Sequence, residues 1–140
     1  TYAPVYLVKK DGKLDQVILP IVGKGLWSTM YGFLALGDDL NTVRGITFYE
    51  HAETPGLGGE IDNPLWKAKW PGKKLYDSQG NYKLKIVKGA AAQSGPEAEH
   101  QIDGISGATL TAYGVSDAVD YWLGADGFKK LLERLKSEGV

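Results

Sequence analysis

A chain of 140 residues with 43% hydrophobic, 11% aromatic and 24% charged content has the length for one packed domain and is too apolar for a disordered one. Sixteen Lys and Arg stand against seventeen Asp and Glu, a formal net charge of −1 with no long run of one sign, so the electrostatic footprint of a nucleic-acid binder is absent. The lack of cysteine excludes disulfides, thiolate catalysis and iron–sulfur or cysteine–zinc sites, and the two histidines, His51 and His100, sit in no metal-binding spacing. No apolar run reaches the roughly 18 to 20 residues of a membrane-spanning helix. The first residue is Thr1 rather than Met, which fits a processed or truncated product whose targeting or anchoring segment has been removed.

In chain order, "PVYLVKKDGKLDQVILPIV" places Asp11-Gly12 between two β-branched runs, the turn chemistry of a two-residue hairpin. Tyr31, Phe33 and Ala35, then Ile46 and Phe48, alternate on either side of Gly37-Asp38-Asp39 and predict a second hairpin. Leu26, Met30, Phe33 and Leu34 also satisfy helical spacing, which leaves a helix as the alternative there. "ETPGLGGEIDNPLWKAKWP", Glu53 to Pro71, is rich in Gly and Pro yet carries Leu57, Trp66 and Trp70, and predicts an ordered loop with one short helical turn.

"YKLKIV" alternates over Tyr82, Leu84 and Ile86 as a half-buried strand, and residues 89–99 read as a mobile connection. Val115, Val119, Trp122 and Leu123 share one helical face, Gly124 and Gly127 interrupt it, and Phe128, Leu131, Leu132 and Leu135 mark a C-terminal helix. Strands followed by helices predict an α+β fold over residues 1–140: a single domain with a mainly antiparallel twisted sheet and flanking helices.

Three glycine-rich stretches invite a test for phosphate loops. "GKGLWS" has Ser28 where a dinucleotide fingerprint needs its last glycine, and no Walker-type loop exists. It reads as a tight bend with Trp27 in the core. "HAETPGLGGE" reads either as an ordinary loop with Leu57 docked inward or as a ligand-contact loop that offers Leu57 to a flat aromatic group. "DGISGATLTAYGV" has two readings as well. Thr109 or Thr111 can cap the helix that follows, or the small residues and the helix N-terminus can receive a phosphate, with a threonine hydroxyl as the point of esterification. The segment contains no histidine or lysine to act as general base, so any modification there needs another enzyme.

"DGISGAT" matches the D-x-x-[ST]-G-A-[TS] pattern at which a flavin transferase attaches FMN through its phosphate to the last threonine. With "GKGLWS" and "ETPGLGGE" in this order, the chain resembles the periplasmic domains of the C-subunit family of Na⁺-translocating NADH:quinone reductases. It departs from that pattern at His51-Ala52, where a glycine is usual before the glutamate, and at "LTAYGV", where "LTS" is common. The resemblance implies covalent FMN on Thr109, with Ser106, Gly107 and Ala108 as its setting and Thr54 and Leu57 against the isoalloxazine ring. Glu53 and Gly56 belong to the same cofactor-binding set, Leu26 and Trp27 are further wall residues, and Asp103 serves recognition by the transferase.

It implies no catalytic residue and no metal ligand in this chain. The implied role is a flavoprotein that relays electrons within a sodium-transporting oxidoreductase complex and has no reductase activity by itself. Its partners would be the other subunits, the flavin transferase, and the bacterial inner membrane through an N-terminal helix missing here, with the domain facing the periplasm. Two alternatives stay open: the related G-subunit type of the Rnf electron-transport complex, and a flavin-free assembly or binding module.

Overall fold

The computed structural model describes residues 4–124 and 128–138, so the expected break at Gly127 lies outside the described residues. Four strands, β1 (Tyr6–Lys10), β2 (Lys13–Lys24), β3 (Thr29–Gly37) and β4 (Val43–Glu50), form one sheet in that order, each antiparallel to the next. Asp11 and Gly12 both take positive φ, 55° and 77°, the twist-matched turn that their residue types favour. Between β3 and β4 the Asp39 carboxylate accepts the Asn41 and Thr42 amides and closes the second hairpin. The helical alternative fails because Met30, Leu34 and Leu36 face inward in strand register while Tyr31 and Phe33 pack at a tilt against Tyr49 on the other face.

The loop after β4 contains two helical turns rather than one: a 3₁₀ turn at Gly58–Asp62 and α1 (Pro64–Lys67). Asn63 caps α1 by accepting the Leu65 amide at 2.9 Å, and Pro64 occupies the first helical position. Trp66 and Trp70 are buried edge-to-face, their ring centroids 5.7 Å apart.

"YKLKIV" is strand only at β5 (Lys85–Ile86), which pairs in parallel with β6 (Gln101–Ile102). Leu84 and Ile86 are buried as the alternation predicts, but Tyr82 bridges to Tyr76 instead of extending the strand. Residues 89–99, expected to be mobile, are tied down: the Asp103 carboxylate accepts the Ala91 amide at 2.7 Å and the Gln101 side chain accepts that of Ala92 at 2.9 Å.

Helix α2 (Thr109–Leu123) crosses β2 and buries Ala112, Val115, Val119 and Leu123, while α3 (Lys129–Glu138) adds Leu132 and Leu135 to the same core. Among the described residues no helix is long and apolar enough to cross a membrane. The C-terminal end of β2, the loop after β4 and the N-terminus of α2 meet at one end of the sheet, where the glycine-rich motifs converge.

Candidate functional site

The bend Gly25–Ser28 closes on itself through the Gly25 amide and the Ser28 carbonyl, 2.9 Å apart. It does not send Trp27 into the core: the side chain is 72% exposed and Leu26 is 50% exposed. The expected core role of Trp27 fails because the bend is fixed by hydrogen bonds to its main chain rather than by side-chain packing. Opposite it, Thr54 to Leu57 forms a turn with Pro55 second and Gly56 third at φ 80°, closed from the Leu57 amide to the Thr54 carbonyl at 3.0 Å. The turn presents Leu57, 49% exposed, and so resolves its two readings in favour of display rather than docking into the core.

The third motif comes up against that leucine. Gly107 has φ 78° in a turn closed by the Ala108 amide and the Ile105 carbonyl, and a Cβ there would stand 3.5 Å from Leu57 Cδ2. The chain then enters α2, with Ala108 as N-cap and no side chain capping the helix. Neither threonine fills the cap role expected of it. Thr109 is the first helical residue, so its side chain starts beyond the cap position. Thr111 is buried, and its hydroxyl donates to Glu53 Oε1 at 2.7 Å.

Two clefts share Thr109 and Gly107. The apolar one, about 340 Å³, runs between Leu26, Trp27, Leu57 and Leu110 with Thr54, Gly58 and Thr111 among its other lining residues. The polar one, about 520 Å³, is bordered by Lys69, Lys88, Asp103, Ser106 and Tyr113. Its base is held by Asp103, whose carbonyl accepts the Trp66 indole N–H at 2.9 Å and whose carboxylate pairs with Lys69. The Ala91 amide and the Lys69 ammonium beside that carboxyl hold it below the usual carboxylate range.

Glu53 does not line either cleft. It is 4% exposed, and its oxygens accept from the Leu26 amide (2.7 Å), the Trp27 amide (3.1 Å), the Ser28 hydroxyl (2.7 Å) and the Thr111 hydroxyl (2.7 Å). Burial works to raise its pKa, but the hydroxyls of Ser28 and Thr111 and the two amides outweigh it and hold the carboxyl below its ordinary value. The structure thus brings together Leu26, Trp27, Thr54, Leu57, Gly107, Ala108 and Thr109 around one groove. It places Ser106 and Asp103 on the polar side of Thr109, and Gly56 in the turn behind Leu57.

Sequence reasoning missed Leu110, Ser28 and the part played by Thr111. Leu110 is 63% exposed on α2, away from the stripe of Val115, Val119 and Leu123, and that off-stripe position was readable. Thr111 stands four residues before Val115 on the buried face, so its hydroxyl required an internal partner.

Residues 25–124 match the FMN-binding domain family. The C subunit of the Na(+)-translocating NADH-quinone reductase of Pseudomonas aeruginosa is 58% identical over 135 residues, 96% of this chain and 52% of that protein. The protein of the same name in Neisseria meningitidis serogroup A is 55% identical over 140 residues, 99% of this chain and 53% of that protein. The chain thus spans about half the length of the curated relatives it matches. The crystal structure of Shewanella oneidensis NqrC superposes with a TM-score of 0.89 at 42% identity, over 96% of this chain and 61% of that one. The family match runs from the bend that presents Trp27 to the end of α2 and so contains all the groove's lining residues: the chain belongs to the FMN-binding domain family.

Proposed function

We propose that this chain is the flavin-carrying part of a C subunit of a Na⁺-translocating NADH:quinone reductase, with FMN joined through its phosphate to Thr109 Oγ1. The observation that carries the reading is the position of Thr109, at an uncapped helix N-terminus on the ridge between an apolar groove and a lysine-bordered cleft. The residues fit each part of the cofactor. An uncapped first turn leaves backbone N–H groups and the positive end of the helix dipole for a phosphate. Leu26, Trp27, Leu57 and Leu110 offer an apolar slot for a flat ring system. When bound, FMN supplies the redox chemistry, and the protein supplies its position and surroundings.

In this reading the phosphoester fixes the cofactor without engaging the ring, and Leu57 and Trp27 shelter the ring from water while leaving part of it accessible. The full protein relays electrons to and from other subunits of the complex. A flavin transferase matures it, and a membrane anchor outside this sequence holds it to the bacterial inner membrane, facing the periplasm.

Co-expression with a flavin transferase, followed by intact-mass analysis and peptide mapping, should give one added FMN less one water on the Thr109 peptide. Thr109→Val should abolish the addition and Thr111→Ser should retain it. An unmodified Thr109 peptide, or flavin retained by T109V after denaturation, overturns the assignment. A colourless product would favour a flavin-free binding module.

A further inference from the structure

Burying a carboxylate costs free energy unless hydrogen bonds replace its hydration, and Glu53 receives four donors from two separate stretches of chain. The Leu26 and Trp27 amides and the Ser28 hydroxyl belong to the bend after β2, and Thr111 belongs to the first turn of α2. Leu26, Trp27 and Thr111 line the apolar groove, and Glu53 lies beneath it.

Two glycines of the motifs are shaped around the same side chain. A Cβ at Gly25 would collide with the Glu53 carboxylate, and one at Gly58 would stand 2.7 Å from Thr111 Oγ1 and 3.0 Å from Glu53 Cβ. Neither glycine has a positive φ, so space rather than backbone conformation demands them. His51 extends the arrangement: its Nδ1 accepts the Glu53 amide at 3.1 Å, and its Nε2 meets Asp62 Oδ2 at 2.6 Å.

We propose that Glu53 is the positioning residue of the groove: its buried carboxylate fastens the 25–28 bend to the first turn of α2, so that Leu26 and Trp27 keep a fixed geometry toward Thr109. Assigning the groove to a flavin rests on the function proposed above, whereas the clamp itself does not. Because the carboxylate is ionised beneath the groove, it also opposes the arrival of negative charge above it. Removing the charge therefore makes a flavin held there easier to reduce.

The test starts with protein not yet flavinylated, so that it is independent of Thr109. In Glu53→Gln, the Leu26 and Trp27 amides should exchange hydrogen about tenfold faster or more, because the neutral amide cannot accept from all four donors. Leu19 and Leu34, in the sheet, should keep their protection. Unchanged exchange at Leu26 and Trp27 overturns the proposal. If E53Q loses sheet protection throughout, Ser28→Ala decides, since it keeps the charge and removes one donor to Glu53 together with the acceptor of the Ala52 amide. Faster exchange at Leu26 and Trp27, beyond that at Ala52, supports the clamp, and wild-type exchange at Leu26 and Trp27 overturns it.

After flavinylation, E53Q should carry FMN on Thr109 by mass, with lower flavin fluorescence anisotropy and a raised midpoint potential. S28A should lower the anisotropy while leaving the potential near the wild-type value. Wild-type anisotropy and potential in E53Q would remove the link between the clamp and the flavin groove. A wild-type chain that takes no flavin at Thr109 would overturn the functional reading, and amide exchange would still decide the clamp.

Discussion

Trp27 shows how one residue can be rigidly placed and still lie open to solvent. Its amide is fixed by Glu53, yet its indole contributes little buried area, so the side chain is free to serve as wall rather than as core. Trp27→Ala should therefore melt within about 0.5 kcal/mol of the wild type, as exposed substitutions do. With FMN in the groove as proposed above, Trp27 would lie beside the ring, and the flavinylated variant should fluoresce more strongly, because an indole in contact with a flavin quenches its emission. Thermal melts and steady-state flavin fluorescence measure the two effects, and a large destabilisation with unchanged fluorescence would return Trp27 to a folding role. Composition gives no hint of this placement, since a tryptophan after a glycine bend is read as core. Leu57 was more legible, because flanking glycines leave no neighbouring side chains to bury it.

At the scale of elements, the groove's width is set where α2 crosses β2. A Cβ at Gly114 would meet the Lys24 carbonyl, and one at Gly23 would stand 2.5 Å from Ala118 Cβ, so strand and helix backbones pack nearly in contact. In an exposed helix Gly→Ala gains about 1 kcal/mol of propensity. Here the added methyl has no room, and overpacking costs of about 1 to 3 kcal/mol outweigh that gain. Gly114→Ala should lower the denaturant midpoint, and because Gly114 lies five residues after Thr109, a flavin attached there as proposed above should show lower fluorescence anisotropy in the variant. A stabilised G114A would show that the crossing is looser than its geometry.

The two hairpins and both long helices were legible because turn chemistry and apolar period agreed along those stretches. β5 was overextended because its partner, β6, is only two residues long, a tertiary limit that no local alternation encodes. The cap reading of Thr109 or Thr111 rests on residue type alone and fails because Ala108 is the N-cap, while the place of Thr111 on the Val115 stripe turns it inward.

Over the whole molecule, carboxylates with lowered pKa sit at joints between segments. Glu53 joins the bend to α2, Asp103 holds residue 91 and Lys69, Asp39 closes the β3–β4 turn and Asp77 the turn at residues 79–81. A carboxyl whose folded-state pKa is depressed adds stability that is fully present above its unfolded pKa, near 4, and is lost as pH falls through the folded value. The contribution of these carboxyls should therefore stay constant from neutral pH down to about pH 5, and the melting temperature should fall steeply on further acidification.

Asp103→Asn separates one joint from the rest. The variant loses the Lys69 ion pair and, with one oxygen replaced by NH2, can accept from the Ala91 N–H only by turning that NH2 toward the Lys69 ammonium, so it should melt lower at pH 7. It has one fewer carboxyl to protonate, so its melting temperature should fall less between pH 5 and pH 3, and the two curves should converge in acid. Parallel curves would mean that Asp103 contributes equally charged and neutral, and that acid sensitivity comes from the other joints. Convergence would identify the turn beneath Thr109 as a charge-dependent element of the fold.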